Sequence, residues 1–272
     1  MSAVQLAPAA LSPQLPAAEV VVPEIPLTDL VVVADRFRGF TDGTRVHTVS
    51  GLVAALRGGA FRNVRTDLTI RLGQGIKRHD KEYVEHVASI HAPAAEVRLL
   101  GDIAAPAPRH HVHKYQETNV LIANLARAED GSFTSDLRID GDNELLIDHQ
   151  TGEHVQGLVI VEAARQLFLG AFELEYGNRS PEQHYYVVWN SIDLSFKTFL
   201  FPLPASLRAR FGAVSIQDPA KLQFTIDIEV TQFGRSVATA TISFAALENS
   251  TISQIERRKA AKAIEAFLGV TA

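Results

Sequence analysis

A chain of 272 residues, 46% hydrophobic and 21% charged, has a globular composition and room for two modest domains or one large one. Its formal net charge of −5 gives no electrostatic case for nucleic acid or an anionic membrane surface as a partner. The absence of cysteine excludes disulfides, thiolate nucleophiles and cysteine-held zinc or iron–sulfur centres, and it fits a cytoplasmic location.

Residues 1–26 are rich in alanine and carry Pro8, Pro13, Pro16, Pro23 and Pro26 without the basic start of a secretory leader. They predict an extended, disordered leader, with docking on a partner as the alternative. Residues 27–103 then alternate. Segment 30–34 (LVVVA) predicts a strand, 48–56 a helix stopped by Gly58 and Gly59, 67–72 (DLTIRL) a strand, 80–90 a helix, and 96–100 a strand. That order predicts a small α/β unit with parallel pairing. Its Gly73-Gln74-Gly75 lacks the third glycine and the helix start of a dinucleotide loop, so a structural or partner-binding duty is expected.

Residues 104–109 (AAPAPR) predict a linker, after which the pattern becomes β-rich around one dominant helix. Short strands are expected at 119–124, 135–139 and 144–147, and the helix at about 155–176. Further strands are expected at 185–188, 192–196, 205–214, 222–233 and 236–245, the last two joined as a hairpin through Gly234 and Arg235. Residues 252–268 predict a basic amphipathic helix. The long apolar stretch 155–174 is interrupted by Glu162, Arg165, Gln166 and Glu173, which argues against a membrane span and for a buried helix. A helix apolar nearly all round needs a sheet wrapped about it. The expected fold is therefore α+β: a hotdog domain, an antiparallel sheet around a central helix, over residues 108–248, with a small N-terminal α/β unit. Such sheets leave an edge or face to cover, so a homodimer is expected.

The chemistry concentrates at 148–166, DHQTGEHVQGLVIVEAARQ, where two acid–histidine pairs precede an apolar run that contains Glu162. A buried ionisable side chain is costly unless paired. This segment resembles the A-factor biosynthesis (AfsA-type) hotdog family, in which an Asp-His pair, a second acid-His pair, a Gly and Glu-Ala-Ala-Arg-Gln recur in this order. Residues 112–122 (VHKYQETNVLI) and 192–202 (IDLSFKTFLFP) resemble that family's opening motif and its strand after the helix. Gln156 departs from the proline often found before the Gly. The segment also resembles hotdog dehydratases, with a His ahead of the helix and a Glu inside it, although the register differs by one residue.

The resemblance implies a butenolide or γ-butyrolactone-type synthase. It would move a β-ketoacyl group from a carrier-protein (or CoA) thioester to a small hydroxylated, triose-phosphate-like acceptor, with no cofactor and no metal. A 3-hydroxyacyl-thioester dehydratase or thioesterase is the alternative, and a non-catalytic acyl- or carrier-protein-binding module is a third. The candidate catalytic residues are His149 and His154 as bases, and Glu162 as acid/base or as an orienting group. Gly157, Arg165, Gln166, His113 and Lys114 are the candidate substrate-binding residues. Structural roles compete at each: a buried Glu162–Arg165 ion pair, a helix-start His154, a solvated turn at His113 and Lys114. Backbone amides near 155–157 are candidate oxyanion donors, and Lys197 a candidate phosphate contact. The basic face of the last helix (Arg257, Arg258, Lys259, Lys262) could meet an acidic carrier protein.

Overall fold

The computed structural model describes residues 28–147, 152–177 and 185–269. The leader 1–26 and the candidate base His149 lie outside them. The first unit carries strands β1 (Asp29–Val33), β2 (Val46–Thr48), β3 (Leu68–Leu72) and β4 (Val97–Leu100), with helices α1 (Val49–Arg57) and α2 (Arg78–His91). The strands form one sheet in the order β2-β1-β3-β4, and every pairing is parallel. Apolar runs and a capped helix account for this. Leu30, Val32, Leu68 and Ile70 are buried against Leu52, Leu56, Val84 and Val87, and Thr48 accepts a 3.0 Å bond from the Gly51 N–H at the start of α1.

The second unit has β5 (Ile122–Arg127), β6 (Phe133–Leu137), a short helix α3 (Glu144–Ile147), α4 (Gly157–Glu175), β7 (Tyr185–Phe196), β8 (Ser206–Ser215), β9 (Lys221–Gln232) and β10 (Arg235–Glu248). The strands form a six-stranded antiparallel sheet in the order β5-β6-β8-β9-β10-β7. Strict alternation in β9 sends Leu222, Phe224, Ile226, Ile228 and Val230 inward. They close on α4, whose Phe168 and Phe172 meet Phe244 at ring-centroid distances of 4.7 Å and 6.1 Å. This is the hotdog fold: one apolar helix wrapped by one curved sheet. A last helix, α5 (Asn249–Phe267), leaves the end of β10 and buries only Ile252.

Several local expectations change, among them the strand expected at 119–124, which begins only at Ile122 after a 3-10 turn over Glu117–Asn119. Residues 144–147 are helical, because Asn143 caps them: its Oδ1 accepts from the Leu145 N–H at 3.0 Å, and its carbonyl accepts from Leu146 and Ile147. The hairpin turns at Phe233 and Gly234, both in the left-handed region at φ 51° and 73°, one residue earlier than expected. Residues 185–188 and 192–196 belong to the single strand β7. The stretch 104–109 is also tied down, with Ala107 N–H donating to the Ile122 carbonyl at 2.9 Å.

Gln74, in the glycine pair that fails as a nucleotide loop, joins the two sheets. Its Nε2 donates to the carbonyls of Leu137 (3.0 Å) and Leu203 (3.2 Å), and its Oε1 accepts from Ile139 N–H (2.8 Å). Its backbone N–H donates to Pro202 (2.9 Å), and Phe40 stacks on Phe201 at 5.6 Å. Gly75 sits at φ 83°, where a Cβ would fall 2.5 Å from the Cβ of Ala34. The glycines therefore serve a close backbone junction, and the hotdog unit lies against the loops that follow β1 and β3.

Candidate active site

Two pockets flank α4. The first lies where the loop before β5 crosses the helix. Lys114 Nζ meets Glu162 Oε1 at 2.7 Å, and Arg165 Nε meets Glu162 Oε2 at 2.9 Å. One turn on, Gln166 Nε2 donates to Glu162 Oε1 (3.0 Å) and to the Asn119 carbonyl (2.8 Å), while its Oε1 accepts from Leu121 N–H (2.7 Å). Glu162, Gln166 and Glu173 share one helical face by their spacing. Burial pushes the Glu162 carboxyl up, but hydrogen bonds from Lys114, Gln166 and Arg165, with the Arg165 charge, outweigh it and leave its pKa below the ordinary value. A carboxylate so held stays ionised near neutral pH, which favours orienting neighbours over donating a proton.

The loop itself closes backbone to backbone, with His111 N–H on the Pro108 carbonyl and Lys114 N–H on the Arg109 carbonyl, both at 2.9 Å. His113 takes φ 52°, and its Nε2 lies 3.9 Å from Glu173 Oε1. Arg109, His110, His113, Lys114 and Tyr115 line a cavity of about 490 Å³. His111 stands beside His110, with ring centroids 4.3 Å apart. Burial and the His110 charge lower its pKa, against the pull of Glu173.

The second pocket, of about 560 Å³, sits at the amino end of α4 and is lined by His154, Val155, Gly157, Ile160 and residues 196–200. His154 lies in the bend before the helix rather than in it, its ring 4.5 Å from that of Phe199. Val155 N–H is committed to the Leu200 carbonyl at 2.7 Å, which removes it from the candidate oxyanion donors. Val159 N–H turns to the Gln156 carbonyl at 3.1 Å. The first two amides of α4, at Gly157 and Leu158, have no acceptor within the helix, and the first turn holds no acidic residue to offset the dipole. A Cβ on Gly157 would lie 2.9 Å from Phe196 Cζ, so glycine sets the width of this pocket.

A model of the A-factor biosynthesis hotdog domain matches residues 97–248, more than half of the chain, from β4 to the end of β10. The chain belongs to the A-factor biosynthesis hotdog family. No curated relative matches the sequence. Among solved structures, a mutant thioesterase from Pseudomonas aeruginosa superposes with TM-score 0.40 at 18% identity, covering 54% of this chain and 99% of its own. A putative thioesterase from Shewanella oneidensis gives TM-score 0.40 at 10% identity, covering 51% of this chain and 94% of its own.

Two of the three motifs that carry the family likeness therefore meet in space through Lys114 and Glu162. His154 and Gly157 instead face the second pocket, whose other wall is the strand-end segment 196–200, where Lys197 Nζ bonds Ser195 Oγ at 3.0 Å. Gly157 and Ile160 of α4 line the second pocket, whereas the first is lined by the loop residues 109–115 alone among those described. Sequence reasoning did not pick out Arg109, His110 and Tyr115 at the first pocket, or Phe196 and Phe199 at the second. The run Arg109-His110-His111 beside the Val-His-Lys motif was the available signal for the first. Among the described residues no helix is long and apolar enough to cross a membrane, and no group of three or more His, Asp or Glu could hold a metal ion.

Proposed function

We propose that this A-factor-family protein is an acyl-thioester enzyme of the butenolide (γ-butyrolactone) synthase type. It moves a β-ketoacyl group from a carrier-protein or CoA thioester to the hydroxyl of a small acceptor. The observation that carries the reading is the second pocket, where His154 and Gly157, the first residue of α4, line one cavity. In this scheme His154 takes the proton of the acceptor hydroxyl, and the oxygen attacks the thioester carbonyl. The developing oxyanion lies toward the Gly157 amide, a donor worth about 3 kcal/mol. Collapse expels the thiolate, which takes the proton from His154. The ester's acidic α-carbon then gives up a proton and attacks the acceptor's ketone, which takes up a proton as the new C–C bond closes the ring; loss of the resulting hydroxyl with the second α-proton, as water, leaves the ring double bond. His149 is the second candidate base for that step. Glu162 holds Lys114, Arg165 and Gln166 in place; of these Lys114 lines the first pocket and would contact substrate there, whereas Gln166, fully buried with both ends of its amide engaged, has a positioning role.

The working form proposed is a homodimer. β7 is an edge strand of the sheet and exposes Tyr186, Trp189, Ile192 and Phe196. A long edge strand with exposed apolar side chains calls for a partner. The carrier protein is assigned to the basic face of α5.

The test is direct. Purified protein is incubated with a β-ketoacyl thioester and a triose phosphate, and products are read by mass spectrometry. An acylated or cyclised product supports the proposal. Free acid points to a thioesterase, and water loss from a 3-hydroxyacyl thioester to a dehydratase. Intact substrate throughout, with retained binding, leaves the non-catalytic module.

A further inference from the structure

The last helix has little of its own chain against it. Ile252 is buried where α5 touches the ends of β10 and β7, but residues 256–268 are exposed throughout. Ile264, Phe267 and Leu268 are among them, and Phe267 is 89% exposed. At about 100° per residue, Ala260, Ile264 and Phe267 fall on one side of the helix and Arg258, Lys259 and Lys262 on the other. Such a division suits a helix whose apolar side is covered.

A second uncovered apolar surface surrounds the His154 pocket. Phe196 and Phe199 line it and are themselves exposed, and Leu158, next in the chain to the lining Gly157, is exposed too. The charges of the two surfaces are complementary. Lys197 lies in the pocket lining and the exposed Glu153 directly precedes His154, while Glu256 and Arg257 stand exposed ahead of the apolar side of α5.

The helix cannot close the pocket of its own chain. It starts beside Tyr185, which pairs with Glu248 in the sheet, whereas the pocket lies at and beyond Phe196, the other end of β7. From Tyr185 to Phe196 the strand runs about 36 Å. The helix runs about 28 Å, and its exposure from residue 256 onward shows that it does not lie back along its own sheet. A second copy reverses this geometry. A two-fold axis normal to the sheet pairs β7 antiparallel with its copy. With Ile192 near the axis, Tyr185, seven residues before it, stands abreast of the partner's Phe199, seven residues after it. The start of α5 is then set beside the partner's pocket, with the rest of the helix available to cross it.

We infer that the apolar side of α5 covers the mouth of the partner subunit's His154 pocket, so that each site is completed by the other chain. Ile264 and Phe267 meet the partner's Phe196 and the partner's Phe199, and Glu256 and Arg257 face the partner's Lys197 and the partner's Glu153. The basic side stays turned to solvent, where a carrier protein can reach it. The inference rests on the proposed dimer and adds what closes the site.

The chain contains no cysteine, so engineered thiols are the only ones present. A full-length Phe199→Cys, Phe267→Cys double variant is treated with a short bismaleimide and read on a denaturing gel. Both side chains are exposed, so the far-ultraviolet spectrum should match the native one. The expected product has twice the 29.7 kDa chain mass. It should form at least ten-fold faster than in either single variant, or in Phe199→Cys, Lys262→Cys, whose second thiol lies on the basic side. Coupling within one chain, at monomer mass, overturns the inference, and so does a rate no greater than that of the Lys262→Cys control. Sedimentation of the native chain separates the two ways to fail. A dimer without the crosslink leaves the two-fold reading standing and removes the helix cover, whereas a monomer removes both.

Discussion

Lys114 Nζ and Glu162 Oε1 lie 2.7 Å apart, which fixes the loop entering the hotdog sheet to the middle of its central helix. The pair is mostly buried, with side-chain exposures of 24% and 19%, and Arg165 and Gln166 complete the shell around the carboxylate. Removing the charge leaves two cations facing each other with weakened acceptors. Glu162→Gln should therefore cost on the order of 2 kcal/mol in urea unfolding, the range for hydrogen bonds to charged groups. A double-mutant cycle with Lys114→Met should show coupling above about 0.5 kcal/mol. Strict additivity would make the contact energetically idle.

The same carboxylate predicts a pH dependence. Its folded pKa is depressed, so the unfolded chain takes up the proton at higher pH than the folded chain does. The stabilising contribution is complete above the ordinary glutamate value of about 4.3 and is lost as pH falls from there through the depressed folded value. The stability gap between the native chain and Glu162→Gln should be flat near neutrality and shrink on acidification below about pH 4.3. A gap that widens in acid would reverse the assigned sign.

Gln74 should be as sensitive as a core residue although it is polar. It is 7% exposed and satisfies Leu137, Ile139 and Leu203 across the junction of the two sheets. Gln74→Ala strands those buried groups, at about 1–3 kcal/mol each where water does not reach them, so a loss of roughly 3 kcal/mol is expected. Because Leu203 and Pro202 continue into the segment 196–200, ligand affinity at the His154 pocket should fall as well. A urea midpoint within error of the native one would show the junction to be dispensable.

These contacts also mark what the sequence could disclose. The inward alternation of Phe224, Ile226, Ile228 and Val230 and the unbroken apolar character of α4 identify a wrapped helix without coordinates. Residues 144–147 did not read correctly, since four apolar residues carry no period and the deciding feature was the Asn143 cap. β2, only three residues long, offers no alternation at all. At the site, Lys114 and Glu162 are visible as parts of two motifs, but their pairing depends on how the loop crosses α4, which spacing does not encode. Gln74 was legible only as part of a failed nucleotide loop, because its partners lie far along the chain.

Gly157 separates pocket shape from stability. Alanine is the better helix former by about 1 kcal/mol, so Gly157→Ala should hold or slightly raise the melting temperature. Its Cβ would meet Phe196 at 2.9 Å and narrow the space beside the α4 amides. Acyl-thioester turnover should drop at least ten-fold. A variant with native turnover would remove the amino end of α4 from the reacting region.

The edge strand β7 yields the last prediction. Trp189 and Ile192 are 36% and 37% exposed on a strand paired only with β10 among the described residues. In a two-fold dimer such a strand meets its own copy, so one substitution acts twice across the interface. Ile192→Lys would then bury two ammonium groups near the symmetry axis, where like charges and lost apolar contact both oppose association. Sedimentation should show the native chain near twice its 29.7 kDa mass and the variant near one, with the variant's far-ultraviolet spectrum unchanged. A native chain that sediments as a monomer at micromolar concentration would leave β7 covered by something other than a second copy.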